Sequence, residues 1–458
     1  MSRVDKTKFF FKNNYKMLLL IILLILAFAI RINNVFRYNT WWADDGGAHI
    51  KYVETILNDG RLPNMTENYL AWHEPAYYLF QAGWTKLGLC LGISADRIIN
   101  WQEFLGVILF GVFIYLVYQL SIILTKNHWL ALLNVFVFSI LFSSVKISSF
   151  INNEFPVQVL IILLVLLFYH FKLLETNKHK AVVWWSIVLG LVMLVKLTAV
   201  IVLLSVILLW LIFFIVERKK HVLIYIVLSV MVVGIINLPW LTYKKINFGT
   251  VFTVNIYEQD NAQNILTSDA WDYLFKINPS VVVNDPFWIS GSYSFASILL
   301  SDTFTDYYNL FNHVDEMNNL PEGQRIKTSN NRFTTPILKS SALWSIRLGL
   351  IIFLIWLIGV LGSIWQMIKN KKIDWQKMFL YILIIGGITA LVYNNLRFPY
   401  LDRGVLKVNF IFYVLPLIAI VSYGWWWQVL EKKKWFLFIL LFLPWLVYTI
   451  LACPILFV

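Results

Sequence analysis

Two adjacent carboxylates, Asp44 and Asp45, follow a Trp-Trp pair and precede Gly46-Gly47, and His49 stands four positions after Asp45. On a helix, positions four apart share a face. A carboxylate with an imidazole beside it is a pair that can take a proton from an attacking hydroxyl, which is general-base chemistry. Gly46-Gly47 lets the backbone approach a ligand closely or adopt an unusual turn. The same residues also read as a solvated helix start, because Asp favours the N-cap position. The residues alone leave both readings open. A second polar cluster, His73-Glu74-Pro75-Ala76-Tyr77-Tyr78, follows downstream, and a third ends in Asn152-Asn153-Glu154.

Cations form the other half of the candidate chemistry. Lys196 stands alone between two apolar runs, and Arg397, Arg403 and Lys407 crowd a stretch that also holds Asp402. Arg forks and Lys point charges are the side chains that hold phosphate oxygens. For Lys196 the alternative is snorkelling to lipid headgroups. For the later stretch it is anionic lipid or a salt bridge with Asp402.

The elements that must position these residues are membrane helices. The chain has 458 residues, 59% hydrophobic and 14% charged, with a mean hydropathy of +0.70. A soluble domain is nearer one quarter charged. Many windows of about twenty residues carry almost no charge, enough to cross a bilayer. In lipid the backbone must satisfy its own hydrogen bonds, so such windows become helices. The runs do not alternate as the strands of a membrane barrel would. The net charge of +13 does not point to nucleic acid, because Lys and Arg sit mostly in short loops between apolar runs. Cys90 and Cys453 give no metal or disulfide spacing and read as packing residues.

About eleven spans are expected, near 17–36, 98–124, 129–145, 156–174, 182–195, 197–216, 221–240, 344–368, 376–393, 405–425 and 435–451. The basic loops at Lys172–Lys180, Arg218–Lys220, Lys369–Lys372 and Lys432–Lys434 should be cytoplasmic, as should the N-terminus. The count then puts 37–97 outside as one loop, with the apolar segment 75–93 as an interfacial helix. It also places 146–155, 241–341 and 394–404 outside. The expected organisation is an N-terminal membrane module, 1–240, carrying the first outer loop 37–97. An outer loop of roughly one hundred residues, 241–341, and a C-terminal membrane module, 342–458, follow it. Arg397, Arg403 and Lys407 then lie outside or at the outer membrane edge, where the positive-inside tendency disfavours them.

The order of these motifs resembles a known family. An Asp with His four on, Gly60-Arg61-Leu62-Pro63 some way after it, and His73-x-Pro75-x-Tyr77-Tyr78 look like the first outer loop of GT-C membrane glycosyltransferases. They are similar in particular to protein O-mannosyltransferases and lipid A aminoarabinose transferases. The resemblance covers about 17–245 and 394–420. It implies a GT-C-like bundle that moves a sugar from a polyprenyl-phosphate carrier, undecaprenyl or dolichyl, to an acceptor hydroxyl on the outer face, with inversion. It makes Asp45 the base, with Asp44 as the alternative and His49 beside them. It gives Glu154, His73, Glu74 and Tyr77 to the substrate, and Lys196, Arg397, Arg403 and Lys407 to the carrier phosphate. Glu74 departs from the family pattern, which has a second proline there.

The implied partners are the carrier-linked sugar, a lipid, glycan or protein acceptor, and membrane lipid. The implied setting is a bacterial plasma membrane. Asp44, Asp45, His49 and Glu154 are residue types that can ligate a divalent metal, but neither a metal nor another cofactor is expected. Hard cations need several oxygen ligands, and the mannosyltransferase-like relatives generally work without one. The competing readings are a lipid-linked glycan transporter or flippase and a glycan polymerase or ligase. Transporters concentrate ionisable groups and broken helices at mid-membrane, whereas here the unusual polar residues cluster in outer loops.

Overall fold

The computed structural model describes residues 3–37, 45–251, 274, 279–284, 294–306, 336–397 and 408–457. Asp44, Arg403 and Lys407 lie outside the described residues, and so does the side chain of Arg397. Among the described residues the regular structure is helical throughout.

The chain enters through α1 (Arg3–Arg37) and forms two short helices, α2 (Gly46–Asp59) and α3 (Ala76–Cys90). The bundle continues with α4 (Ile98–Thr125), α5 (His128–Ile140), α6 (Phe142–Ile147), α7 (Glu154–His170) and α8 (His179–Met193). Next come α9 (Val200–Glu217) and α10 (His221–Phe248). The segment 241–341 contributes α11 (Pro279–Asn284) and α12 (Phe295–Phe304). The C-terminal part holds α13 (Pro336–Lys369), α14 (Trp375–Arg397), α15 (Val414–Leu430), α16 (Lys434–Leu437) and α17 (Leu443–Leu456), the last two joined by a π turn.

Seven helical stretches are long and apolar enough to cross a membrane: 16–37, 95–125, 197–217, 221–248, 337–369, 375–396 and 435–456. The apolar helices α5, α7, α8 and α15 are shorter. Each expected span therefore meets an apolar helix, but not always a full-length one. Large aliphatic side chains such as Ile25, Ile235 and Leu361 are exposed on the helix surfaces, as a lipid-facing bundle requires. Cys90 and Cys453 are exposed rather than packed, which corrects the expectation for both.

α4 is the hub of the first half, packing on α1, α3, α5 and α7, while α10 lies along α8. α13 packs on α15 and α17, and α14 joins the two halves through α9. Segment 75–93 appears as α3, packed on α2 and α4.

The expected single run 129–145 is broken. Leu141 takes extended angles (φ −60°, ψ 126°) between α5 and α6. Arg31, fully buried on α1, supplies the reason. Its guanidinium donates to the Phe138 and Ser139 carbonyls that α5 leaves open, to Ala27 O, and to the Ser144 and Ser148 hydroxyls. It also lies 3.2 Å from the centroid of the Phe110 ring. A helix end presents unsatisfied carbonyls, and a cation there complements the dipole. The break turns 142–153 inward. Lys146, expected in an outer loop, is instead on α6 and buried.

Candidate functional site

Asp45 precedes α2 with left-handed backbone angles (φ 61°, ψ 2°), a region that Asp tolerates better than most residues. Its carbonyl accepts from the His49 amide at 2.9 Å. Its carboxylate does not cap the helix. It is exposed and accepts from the Tyr69 hydroxyl at 2.5 Å. The helix start is thus made by the backbone, and one carboxylate oxygen remains beyond the Tyr69 bond.

Behind Asp45 the helix turns His49 inward. Its Nδ1 is 2.9 Å from the Tyr78 hydroxyl, which is 3.1 Å from His73 Nδ1. Tyr78 stacks on Tyr52 with ring centroids 3.7 Å apart, and both rings are fully buried. The Asn153 amide nitrogen approaches His73 Nδ1 at 3.1 Å, and its Oδ1 accepts from Lys196 Nζ at 3.0 Å. Lys196 also pairs with Glu154. One row of side chains therefore runs His49, Tyr78, His73, Asn153, Lys196, Glu154, drawn from α2, the first outer loop, α3, the α8–α9 link and the start of α7.

Burial lowers the His49 pKa; the carboxylates of Glu154 and Asp45 oppose the shift and Lys196 adds to it. Burial holds His73 well below the ordinary histidine range, helped by Lys196, His49 and Lys244 and opposed by Glu154. Both imidazoles are therefore kept neutral near pH 7. Tyr77 is buried on α3, and burial followed by the Glu154 charge pushes its phenol up.

Glu74 is a joint. One oxygen accepts from Lys244 Nζ of α10 at 2.7 Å and the other from the Leu197 amide at 3.1 Å. Beside it, the Ala76 amide donates to Leu194 O at 3.0 Å. Together they staple the first outer loop to the tight α8–α9 turn. Lys196 is extended in that turn (φ −161°, ψ 130°), so its side chain leaves the helix axes and reaches Asn153 and Glu154.

The chain from Val408 onward comes to the same place. The Lys196 ammonium is 5.4 Å from the ring centroid of Phe410, in the 3-10 turn Val408–Ile411. That turn is fixed by buried polar groups. The Val408 amide donates to Asp302 Oδ2 at 2.9 Å, Gln158 Nε2 donates to Phe410 O at 3.2 Å, and the Tyr413 amide donates to Gln158 Oε1 at 3.0 Å. Asp302, on α12, pairs through its other oxygen with Lys146 of α6.

Among the expected site residues, the structure brings together Asp45, His49, His73, Glu74, Tyr77, Glu154 and Lys196. Glu154 and Lys196, assigned separately to substrate and phosphate, are each other's partners. Asp44, Arg403, Lys407 and the Arg397 side chain fall outside the described residues. Sequence reasoning missed Tyr69, Asn153, Lys244 and Asp302. A lone acid in the apolar run 295–304 was a usable signal, because an ionisable group in such a setting needs a named partner. Among the described residues, no three His, Cys, Asp or Glu side chains gather as a metal ion would require. The arrangement offers an exposed carboxylate at a rim, neutral imidazoles behind it, and a cation at the far end of the row.

No family model matches the chain, and no curated protein matches it in sequence. Solved structures do match in fold. The Archaeoglobus fulgidus oligosaccharyltransferase in complex with Zn and sulfate superposes with a TM-score of 0.52 at 15% identity, over 96% of this chain and 53% of that one. The archaeal oligosaccharyltransferase AglB from the same organism, in complex with an inhibitory peptide and a dolichol-phosphate, gives 0.53 at 13%, over 98% and 55%. A third, tethered to an acceptor peptide containing the NVT sequon, gives 0.52 at 13%, over 98% and 55%. The chain spans about half the length of these structures. The likeness shows that the chain shares the fold of these structures.

Proposed function

We propose that this protein is a membrane glycosyltransferase that takes a sugar from a polyprenyl-phosphate carrier and passes it to an acceptor hydroxyl on the non-cytoplasmic face. The observation that carries the reading is the row from His49 to Lys196, which joins the rim bearing Asp45 to the cation beside the turn that follows the Arg-rich stretch. A GT-C fold with a carboxylate at one end of a polar row and the Lys196 cation at the other suits a reaction in which a hydroxyl loses a proton and a phosphate leaves. The solved oligosaccharyltransferases, which bind dolichol-phosphate and acceptor peptide, support a lipid-linked donor in general.

In this reading Asp45 takes the proton of the acceptor hydroxyl as the oxygen attacks the anomeric carbon from the face opposite the phosphate. General-base catalysis of this kind is worth about 10²–10⁴-fold. The carboxylate suits the part because it is exposed and is not consumed by capping. Negative charge grows on the departing carrier phosphate, and preorganised cations at that point stabilise the transition state. Lys196 is the described candidate, and Arg397, Arg403 and Lys407 complete the set proposed from sequence. Glu154 holds Lys196 in place until a phosphate competes for it. Inversion, a bacterial plasma-membrane setting and operation without a metal belong to the same proposal.

The test is incubation of the purified protein with a panel of undecaprenyl- and dolichyl-phosphate sugars, scoring release of the free carrier phosphate. Release from at least one donor, dependent on an added acceptor, is expected. Movement of intact lipid-linked sugar across vesicles, with no cleavage of any donor, would favour a flippase.

A further inference from the structure

The row from His49 to Lys196 has a direction, and the direction comes from Lys196. An ammonium has only donors, so the Asn153 amide must turn its oxygen toward Lys196, as it does at 3.0 Å. Its NH₂ then faces His73 Nδ1 at 3.1 Å. An N–H can approach that nitrogen only if the nitrogen carries a lone pair. His73 is thereby fixed as the neutral tautomer with its proton on Nε2. The Tyr78 hydroxyl lies between His73 Nδ1 and His49 Nδ1, at 3.1 and 2.9 Å, so the state of one imidazole is transmitted to the other. Asn153 and Tyr78 are fully buried, and His49 and His73 are nearly so. Water cannot readily replace a lost partner.

We propose that Asn153 and His73 are positioning residues that lock Lys196 and His49 into one hydrogen-bonded row, and that protonation of His73 breaks the row. A proton on Nδ1 would face the Asn153 NH₂. Relief by turning the amide over would set that NH₂ against the Lys196 ammonium. Either outcome leaves a buried donor without an acceptor, which is unfavourable.

Charged and titratable groups face His73 from every side. They are Lys196 from the α8–α9 turn, Glu154 from α7, Lys244 from α10, His49 from α2, Tyr78 from α3 and Glu74 beside it in the loop. Burial and the three cationic or basic neighbours act against the proton, with Glu154 opposing. The folded pKa thus lies below the unfolded value of about 6.5. Below that value the unfolded chain binds the extra proton first, so stability falls as pH drops. The row itself breaks only when pH passes the lower, folded value.

The consequence for activity rests on the glycosyl-transfer reading; the consequence for His73 does not. The full-length protein, purified with isotope-labelled histidine, should show a His73 Nδ1 without a proton and an Nε2 with one, and a titration below the ordinary histidine range. The His73 signal is identified by its loss in His73→Asn. In Asn153→Asp the new carboxylate still accepts from Lys196 but favours His73 with a proton on Nδ1. The titration should move up by about one unit or more. With a working donor, the acid limb of the transfer rate should move up with it. His73→Asn, whose Oδ1 can stand where Nδ1 stood, should lose that limb from whatever transfer it retains. A His73 protonated on Nδ1 in the wild type, or a titration that Asn153→Asp leaves unmoved, would overturn the proposal. A shifted titration in a protein that cleaves no carrier would uphold the row and remove the glycosyl-transfer reading.

Discussion

At the scale of single residues, the site depends on charges that are buried only because each has a partner. Glu74 and Lys244 are the clearest case, because both are nearly inaccessible and they pair at 2.7 Å. Removing one member of a buried pair leaves an uncompensated charge, which costs about 3–5 kcal/mol, whereas replacing both by apolar groups is often neutral. Glu74→Gln should therefore lower the unfolding temperature in detergent markedly, and Glu74→Gln with Lys244→Met should recover much of the loss. Equal destabilisation in the single and double variants would show that the pair is not what holds the outer loop. His49 and Asp45 could be found from sequence because four-residue spacing and helix-start chemistry are local. The Glu74–Lys244 and Lys146–Asp302 pairs could not, since their members are 170 and 156 positions apart. Asn153 was hidden for another reason: an Asn in a polar stretch looks like a loop residue until His73 and Lys196 are seen on either side of it.

At the scale of elements, the tight α8–α9 turn and the 3-10 turn Val408–Ile411 bring two distant segments to Lys196. α14 ends at Arg397, and the Val408 amide is anchored on Asp302. If the cations of 397–407 hold the carrier phosphate, Arg397→Ala with Arg403→Ala should raise the donor KM at least about tenfold. Lys at both positions should restore it only partly, because Lys lacks the bidentate fork. An unchanged donor KM in the double Ala variant would leave Lys196 as the phosphate ligand. Hydropathy located the helices well, since burial in lipid is written into every residue of a span. It could not locate the break at Leu141, which depends on Arg31 of another helix capping α5 from the side. The inward turn of 142–153 was lost with it. So was the packing at the ends of short helices such as α15, which begins at Val414 although the apolar run suggested an earlier start.

At the scale of the whole molecule, orientation decides which side of the membrane the chemistry serves. On the positive-inside expectation, Lys172, Arg218, Lys369 and Lys432 lie inside and the site with Asp45 outside. Cysteines introduced at Asn64 and Asn394 should react with a membrane-impermeant reagent in intact cells, and those at Asn177 and Asn370 should not. Labelling at Asn177 would reverse the molecule and with it the proposed acceptor side. The helical fold class could be read from composition, because apolar runs of span length are visible in the sequence itself. The exposed carboxylate at the rim gives the account its centre. The most direct measurement is the rate of carrier-phosphate release by Asp45→Asn beside the wild type, on a donor that the wild type uses. A fall of about 10²–10⁴-fold with an unchanged unfolding temperature is predicted for loss of a general base. Near wild-type turnover in both Asp45→Asn and Asp44→Asn would contradict the account at its core.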